Sequence, residues 1–225
     1  MRFSILHLIF ICVATAIFVT FVFIKWQGKN EHIKVLNKEI LAEHAKIAEI
    51  EKQGKGVLTY VRISRGLDIL SKKKLPEEHK DILAEKLFAI STDYKIDPLL
   101  ILAVIKHESR GNPYAKGVYL SGGKSGALGL MQIKYESALE VARSIGVEIS
   151  SPKDLFIPEK NLMVGTAYLL RLIAKYKNLQ YALIAYNVGF GVLDDKLRRG
   201  APLPKKYYNT IMKEYKDLAR EIFLN

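Results

Sequence analysis

Cysteine is nearly absent from the chain, which excludes two kinds of stabilisation. The 225 residues contain one cysteine, Cys12, so neither an intramolecular disulfide nor a cysteine-based metal site can form. The three residues before it, Ile9, Phe10 and Ile11, lack the small side chains of a lipoprotein cleavage site, so we do not expect a lipid on Cys12. The histidines lack the compact spacing of metal ligands: His7, His32, His44, His79 and His107. We therefore expect neither a metal ion nor another cofactor.

The sequence also lacks the clusters typical of nucleic-acid-binding proteins. Lysine and arginine outnumber aspartate and glutamate by 35 to 23, which gives a formal net charge of +12. A positive field of this size attracts polyanions in general, but no tight Lys/Arg cluster is interleaved with aromatic residues. We therefore expect no nucleic acid partner, whereas anionic lipid and anionic cell wall both fit the charge.

A long uncharged run occupies the N-terminus. Residues 3–24 carry no formal charge, and at about 1.5 Å rise per residue a helix of this length spans a hydrocarbon core of roughly 30 Å. A cleavable signal peptide has a shorter apolar region and ends at a small-x-small site, which residues 21–26 do not provide. We therefore predict an uncleaved transmembrane signal anchor over residues 1–28, with Trp26 at the membrane interface.

A helical stalk or linker is predicted after the anchor, over residues 29–75. Apolar residues recur there with heptad spacing, at Ile33, Leu36, Ile40, Ile47 and Ile50. The stripe is compatible with a solvated helix or with a short coiled coil that dimerises the protein. Because there are fewer than four heptads and Glu43 occupies a seam position, the solvated helix is the preferred interpretation. Gly54 and Gly56 are expected to end this helix, and residues 57–75 to form a mixed connector ending in three lysines.

Residues 76–225 contain one helical pattern after another, so the predicted fold of this domain is all-α. Pro76 should open a helix whose buried face carries Ile82, Leu83, Leu87 and Ile90. Asp97 and Pro98 should begin a second helix, and because residues 99–105 are apolar nearly all round, it should run through the core. Further helices are predicted over residues 132–146, 158–176, 179–187 and 205–224.

Three short segments combine polar side chains with a backbone that can approach a ligand. Glu108 lies where the apolar helix ends and a long loop rich in Gly and Ser, residues 111–126, begins. Residues 126–132 add glycines and end in Gln132, whose amide can bind a polar group. Residues 185–187 close another apolar helix. Taken alone, each segment is equally well explained as a helix end or a turn.

In this order, the three segments resemble the motifs of the SLT-type lytic transglycosylases. The Glu-Ser, Gly-Leu-Met-Gln and Ala-Tyr-Asn motifs of that family are intact at residues 108–109, 129–132 and 185–187. The resemblance covers roughly residues 90–215. It implies a lysozyme-like α fold behind the transmembrane helix and stalk, and cleavage of peptidoglycan glycan strands at the MurNAc-GlcNAc β-1,4 bond.

The resemblance also implies a role for each matching residue. Glu108 would be the general acid and then the base, and Ser109 would orient its carboxylate or the substrate. A second group would line the sugar cleft and form its floor: Met131, Gln132, Tyr186 and Asn187. The family has a tyrosine of the last helix near the catalytic Glu. Tyr207 fits that register, with Tyr208 as the alternative, because the acidic-Thr-Arg element that should precede it is missing.

Two departures from the family pattern leave the substrate preference open. Residues 119–124 lengthen the loop after Glu108, and residues 134–137 replace a stretch that usually contains proline.

The implied reaction uses one carboxyl group. Glu108 would protonate the leaving oxygen and then deprotonate the C6 hydroxyl of the same muramoyl residue, giving a 1,6-anhydro end without consuming water. Glu136 or Glu140 could instead supply a second carboxylate and make the protein a hydrolytic muramidase, similar to goose-type lysozyme. A non-catalytic scaffold that binds the wall is the third interpretation. His107 should point about 100° away from Glu108 around the helix, so it is not expected to be the base.

The implied substrate also suggests where the domain works. It places a single-pass protein in the bacterial inner membrane, with the catalytic domain in the periplasm or on the outer side. Counting Lys25, Lys29, Lys34 and Lys38 would instead place this side of the anchor in the cytoplasm. Long domains after a single anchor are translocated with little regard to charge, so the function decides the orientation. Secretion, conjugation or flagellar machinery of the envelope is a further candidate partner.

Overall fold

A computed structural model describes residues 5–71, 75–118 and 123–224 of the chain. Its helices are α1 (Ile5–Ser71), α2 (Lys80–Tyr94), α3 (Pro98–Glu108), α4 (Tyr135–Ile145), α5 (Pro158–Tyr176), α6 (Leu179–Val188), α7 (Phe190–Arg198) and α8 (Lys206–Leu224). Short 3-10 helices lie at Glu77–His79 and Pro152–Phe156, and the strands are β1 (Lys116–Val118), β2 (Lys124–Leu128) and β3 (Ile133–Lys134). The protein is therefore mostly helical, as predicted.

The chain divides into two units, residues 1–56 and residues 57–225. The expected helix break at Gly54 and Gly56 is not observed, because α1 continues to Ser71. A glycine in a helix interior costs only about 1 kcal/mol relative to alanine, and the burial of the apolar side chains that follow can offset this. Residues 57–71, which were predicted to be a connector, belong to the second unit.

The predicted membrane anchor is only partly covered by the structure. Within the described residues, no helix contains an apolar stretch long enough to cross a membrane. The anchor predicted for residues 3–24 begins outside the described part of the chain. The three lysines at residues 72–74 and most of the inserted loop at residues 119–124 also lie outside it.

Helix α3 lies at the centre of the main core, as its sequence predicts. All of its residues from Pro98 to Ile105 are buried. The helix packs among side chains from α1, α2 and α8: Ile63, Leu67, Leu70, Leu83, Leu87, Ile211, Leu218 and Ile222. At Gly66 of α1 an added Cβ would lie 2.6 Å from Leu102 Cδ1, so glycine permits the close approach of the two helices. A second cluster joins α4, α5 and α6 through Val141, Val164, Leu172 and Ile184.

The bounds of α2 and its buried face differ from the prediction. A 3-10 turn follows Pro76, and α2 begins at Lys80. Leu83 and Leu87 are buried as expected, but Ile82 is 41% exposed because the buried stripe passes through Ala84 instead. Helix α7 was not predicted, since it follows directly on Gly189 and contains Gly191, and both residues indicate a turn.

The loop predicted over residues 111–126 contains strands, so the domain is not purely α. β1, β2 and β3 form an antiparallel sheet in that order. Lys116 pairs with Leu128, and Leu128 also pairs with Ile133. Strands of two to five residues leave no periodic pattern that sequence reasoning can detect. The sheet lies between the end of α3, at Glu108, and α4, and the turn between β2 and β3 carries Gln132.

The assignment of residues 57–71 to the core can be tested by two matched substitutions in α1. Leu67 is 1% exposed and Leu58 is 56% exposed. We expect Leu67→Ala to lower the free energy of unfolding by about 3 kcal/mol because it leaves a cavity. Leu58→Ala should change it by about 0.5 kcal/mol or less. Urea unfolding followed by circular dichroism measures both, and equal small effects would show that this segment is a linker after all.

Candidate active site

Glu108 is the last residue of α3, a helix that is capped by side-chain hydrogen bonds at both ends. At the start, Leu99 N donates to the carboxylate of Asp97 at 3.0 Å, the predicted N-cap. At the end, the Ser109 hydroxyl donates to Ile105 O at 3.2 Å and accepts from Gly111 N at 3.2 Å. Ser109 therefore closes the helix with its own hydroxyl. Ser109 also lines the cleft, and its expected role in orienting the carboxylate or the substrate stays a prediction.

The carboxyl group of Glu108 contacts Tyr207, which lies in the first turn of α8. The Tyr207 hydroxyl donates a short hydrogen bond to Glu108 Oε1, and its buried ring meets the ring of His107 edge-on at 5.2 Å. Tyr208, the alternative, is half-buried and lies beside a separate groove with Met212 and Lys213. Of the two tyrosines, Tyr207 is thus the one that the packing of α8 on α3 brings to the carboxyl group.

Burial determines the protonation of Glu108. It raises the pKa of the carboxyl group from 4.5 to about 7, while the hydrogen bond from Tyr207 opposes the rise by stabilising the carboxylate. The pKa of Tyr207 is raised well above its usual value by burial and by the nearby charge of Glu108. A substantial fraction of Glu108 is therefore protonated near neutral pH, which a general acid requires.

The Gly-Leu-Met-Gln segment is a tight turn anchored on a buried asparagine. Asn161 of α5 is 0% exposed. Its side chain accepts from Met131 N at 2.8 Å and donates to the carbonyl oxygens of Leu128 at 2.9 Å and Leu155 at 2.8 Å. Gly129 has φ +76°, and an added Cβ would lie 2.1 Å from Leu155 O. Only glycine fits there, so the motif is needed for the fold of the turn.

Met131 and Gln132 of this turn point in different directions. Met131 is 0% exposed, and its side chain packs so closely on α5 that a Cβ at Gly165 would lie 2.7 Å from it. It therefore does not line the cleft as expected, although its carbonyl accepts the Tyr186 hydroxyl at 2.8 Å. Gln132 does line the cleft. Its amide nitrogen donates to Ala115 O at 3.0 Å and Gly129 O at 2.9 Å, which leaves the side chain fixed between loop and turn.

The Ala-Tyr-Asn motif lies at the end of α6 and forms another wall of the site. The ring of Tyr186 lies 5.6 Å from that of Tyr168, and burial together with the charge of Glu108 raises the pKa of Tyr186 well above its usual value. Asn187 is exposed and lines the cleft next to the α6–α7 junction. Tyr186 thus supports the turn below it, while Asn187 is free to contact a ligand.

These elements line an open cleft of about 1470 Å³. Its other polar and aromatic lining residues include Arg110, Tyr114, Lys116, Lys134, Tyr168 and Phe190. Within the described lining, Glu108 is the single carboxylate. Aromatic rings and basic groups around one buried carboxyl group suit a carbohydrate that carries negative charges.

The alternative acids and bases lie elsewhere or are poorly placed. Glu136 is exposed on α4, and Glu140 pairs with Arg171 at 2.7 Å on the surface. Neither lines the cleft. His107 does line it, but its ring rests against Tyr207, and burial lowers its pKa. No group of three or more His, Cys, Asp or Glu side chains in the described residues could hold a metal ion.

Two kinds of site residue were missed by sequence reasoning. Asn161 was not singled out in the sequence, yet its side chain bonds to three backbone groups around the turn. Its signal is a polar residue on the apolar face of α5, where it needs buried partners. Tyr114 and Phe190 are exposed aromatic residues next to glycines or prolines, and such residues often mark binding surfaces.

The raised pKa of Glu108 predicts how the free energy of unfolding depends on pH. Because the folded protein binds this proton more tightly than the unfolded chain, the contribution of Glu108 to stability is present below about pH 4.5 and is lost as pH rises to about 7. Glu108→Gln cannot titrate. We therefore expect it to be more stable than the unaltered protein by about 3 kcal/mol above pH 7, with the difference shrinking toward pH 4.5.

Urea unfolding at several pH values measures this difference. Glu136→Gln, at an exposed position, is the matched control and should show no such pH dependence. If Glu108→Gln ran parallel to the unaltered protein at all pH values, Glu108 would not have a raised pKa.

Comparisons with known proteins agree with this geometry. The family model described as transglycosylase SLT domain matches residues 86–209. The chain is 41% identical over 109 residues to membrane-bound lytic murein transglycosylase E of Buchnera aphidicola, covering 44% of this chain and 47% of that one. It is 39% identical over 131 residues to membrane-bound lytic murein transglycosylase C of Salmonella arizonae, covering 52% and 35%.

A solved structure shows the same fold. The 70 kDa soluble lytic transglycosylase of Escherichia coli superposes with a TM-score of 0.52 at 24% identity, over 62% of this chain and 24% of that one. The matches span less than half the length of either curated relative. The family model, however, covers more than half of this chain, and the chain therefore belongs to the transglycosylase SLT domain family.

Proposed function

We propose that the protein is a peptidoglycan lytic transglycosylase in which Glu108 is the single acid and base. The observation that carries the proposal is a buried Glu108 with a pKa of about 7, bonded to Tyr207 and alone among carboxylates in the described lining of the cleft. Both curated relatives are named lytic murein transglycosylases. Enzymes that use two carboxylates place them on both sides of the scissile bond, and the described lining of this cleft contains no carboxylate besides Glu108.

The first step uses the protonated form of Glu108. Tyr207 holds Oε1, so that the other oxygen can donate its proton to the glycosidic oxygen between MurNAc and GlcNAc. As that C–O bond breaks, the 2-acetamido oxygen of MurNAc bonds to the anomeric carbon and takes the place of a second carboxylate. The leaving sugar carries the transferred proton, and Glu108 becomes a carboxylate.

In the second step Glu108 acts as a base. Its carboxylate accepts the proton of the C6 hydroxyl of the same MurNAc residue, and the C6 oxygen displaces the acetamido oxygen at the anomeric carbon. The product is a 1,6-anhydro end, and Glu108 is protonated again without any water being consumed. A carboxyl group with a pKa near 7 is suited to both steps, since it gives and takes a proton with similar ease.

Glu108→Gln should abolish product release while preserving the fold. The full chain in detergent is incubated with purified peptidoglycan, and the released fragments are identified by mass spectrometry. We expect anhydromuropeptides from the unaltered protein and at least about a 100-fold loss with Glu108→Gln. The exposed Glu136→Gln should keep full activity.

Other products would favour the other interpretations. Fragments with reducing muramic ends would make the protein a hydrolytic muramidase. Binding of the glycan without release of any fragment would make it a scaffold. Activity that survived Glu108→Gln would refute the assignment of the acid and base.

We further propose that residues 3–24 anchor the protein in the inner membrane, with the catalytic unit in the periplasm where the glycan strands are. The uncharged run and the names of the membrane-bound relatives support this. The full chain should sediment with membranes and resist carbonate extraction, whereas a chain without residues 1–28 should stay in the soluble fraction. A full chain that is extracted by carbonate would contradict the anchor.

A further inference from the structure

A stripe of exposed apolar side chains runs along α1 between residues 33 and 50. Its members are Ile33, Leu36, Ile40, Ile47 and Ile50, which are 42–67% exposed in the single chain. A solvated helix gains little from such a stripe, because most helical stability in water comes from packing an apolar face. Packing of another apolar surface on the stripe would therefore stabilise this part of α1.

The spacing of the stripe identifies the geometry of that surface. Ile33, Ile40 and Ile47 occupy the a positions of three heptads, and Leu36 and Ile50 occupy d positions. β-branched residues at a favour two parallel strands in a coiled coil, most clearly when leucine occupies d. The stripe thus fits a second helix of the same kind, running in the same direction.

The charged residues beside the stripe suit a second copy of the same chain. In a parallel pair, each g position meets the e position five residues later on the other helix. Glu39 would then meet His44 of the second copy, and Lys46 would meet Glu51. Lys46–Glu51 is an oppositely charged pair, and Glu39–His44 places a side chain that can donate a hydrogen bond beside a carboxylate. Each contact forms twice by symmetry.

One residue of the stripe opposes this pairing. Glu43 occupies the remaining d position, so that two carboxylates would face each other across the seam. Within the chain, Lys46 Nζ lies 3.2 Å from Glu43 Oε1, which offsets part of the repulsion. Such a residue weakens a coiled coil while it still helps to set the register.

We propose that two copies of the chain pair in parallel and in register along residues 33–50 of α1. A second copy is the occupant because the same segment supplies both the stripe and the complementary charges. The transmembrane anchor proposed above, where present, would hold two chains in the same direction. If the catalytic proposal also holds, the pairing joins two catalytic units and lets them bind one polymeric glycan with increased avidity.

Disulfide crosslinking of the full chain tests the proposal. In a chain carrying Cys12→Ser, single cysteines are introduced as Ile33→Cys, Ile50→Cys or, at the outward f position, Ala45→Cys. We expect Ile33→Cys and Ile50→Cys each to give a crosslinked species of twice the chain mass, about tenfold more than Ala45→Cys. Equal yields at the three positions would mean that the stripe is not the seam.

The same cysteines determine the direction of pairing. In an antiparallel pair, residue 33 would lie opposite residue 50, so only a mixture of Ile33→Cys and Ile50→Cys chains would crosslink. That result, or crosslinking to a protein of another mass, would overturn the proposal.

Charge substitutions supply a second, independent readout. Lys46→Glu should weaken dimerisation of the full chain in detergent about tenfold, and the added Glu51→Lys should restore part of it, because it cannot replace the Lys46–Glu43 contact. Glu43→Leu should strengthen it by about tenfold or more, because it removes the facing carboxylates. Analytical ultracentrifugation measures the dimer dissociation constants of these three variants and of the unaltered protein. A monomer at all concentrations, unchanged by Glu43→Leu, would refute the pairing.

Discussion

The burial of one carboxyl group at the end of a buried helix is the interaction on which the site depends. Glu108 can be buried because α3 carries apolar side chains on all its faces and is enclosed by α1, α2 and α8. The same packing brings Tyr207 to the carboxyl group. Desolvation raises the pKa of Glu108 and the Tyr207 hydrogen bond lowers it, so the value of about 7 is a balance between two contacts of the fold. The packing of the core therefore also sets the protonation of the proposed catalytic group.

Most residues of the motifs that identify the family, and their buried partners, support the backbone of the cleft. Gly129 permits a turn that another residue would obstruct, Asn161 binds three backbone groups around it, and Met131 fills the space beneath. Tyr186 bonds to the Met131 carbonyl and so joins α6 to the same turn. Besides Glu108, the motif residues that line the cleft are Ser109, Gln132, Tyr186 and Asn187. The intact motifs thus preserve the shape of the cleft, and residues outside them, such as Arg110 and Phe190, add further lining groups.

Helix α1 has two different environments along its length. Between residues 63 and 70 it supplies side chains to the core of the catalytic unit. Between residues 33 and 50 its apolar stripe is exposed, and a partner helix would give that stripe the burial it lacks. Helix α1 continues without a break through Gly54 and Gly56. The glycines are tolerated because a single helix-interior glycine costs little compared with a packed face.

Local patterns in the sequence determined much of this protein. The N-cap at Asp97, the apolar run of α3, the bounds of α5 and the three motifs follow from spacing and composition, because helices and caps depend on neighbouring residues. Only the tertiary structure decided which of two adjacent tyrosines meets Glu108, that Met131 turns inward while Gln132 faces the cleft, and that residues 57–71 belong to the core. These outcomes depend on contacts between residues far apart in the chain. The pairs Tyr207–Glu108 and Asn161–Met131 are 99 and 30 residues apart, and no local pattern records such distances.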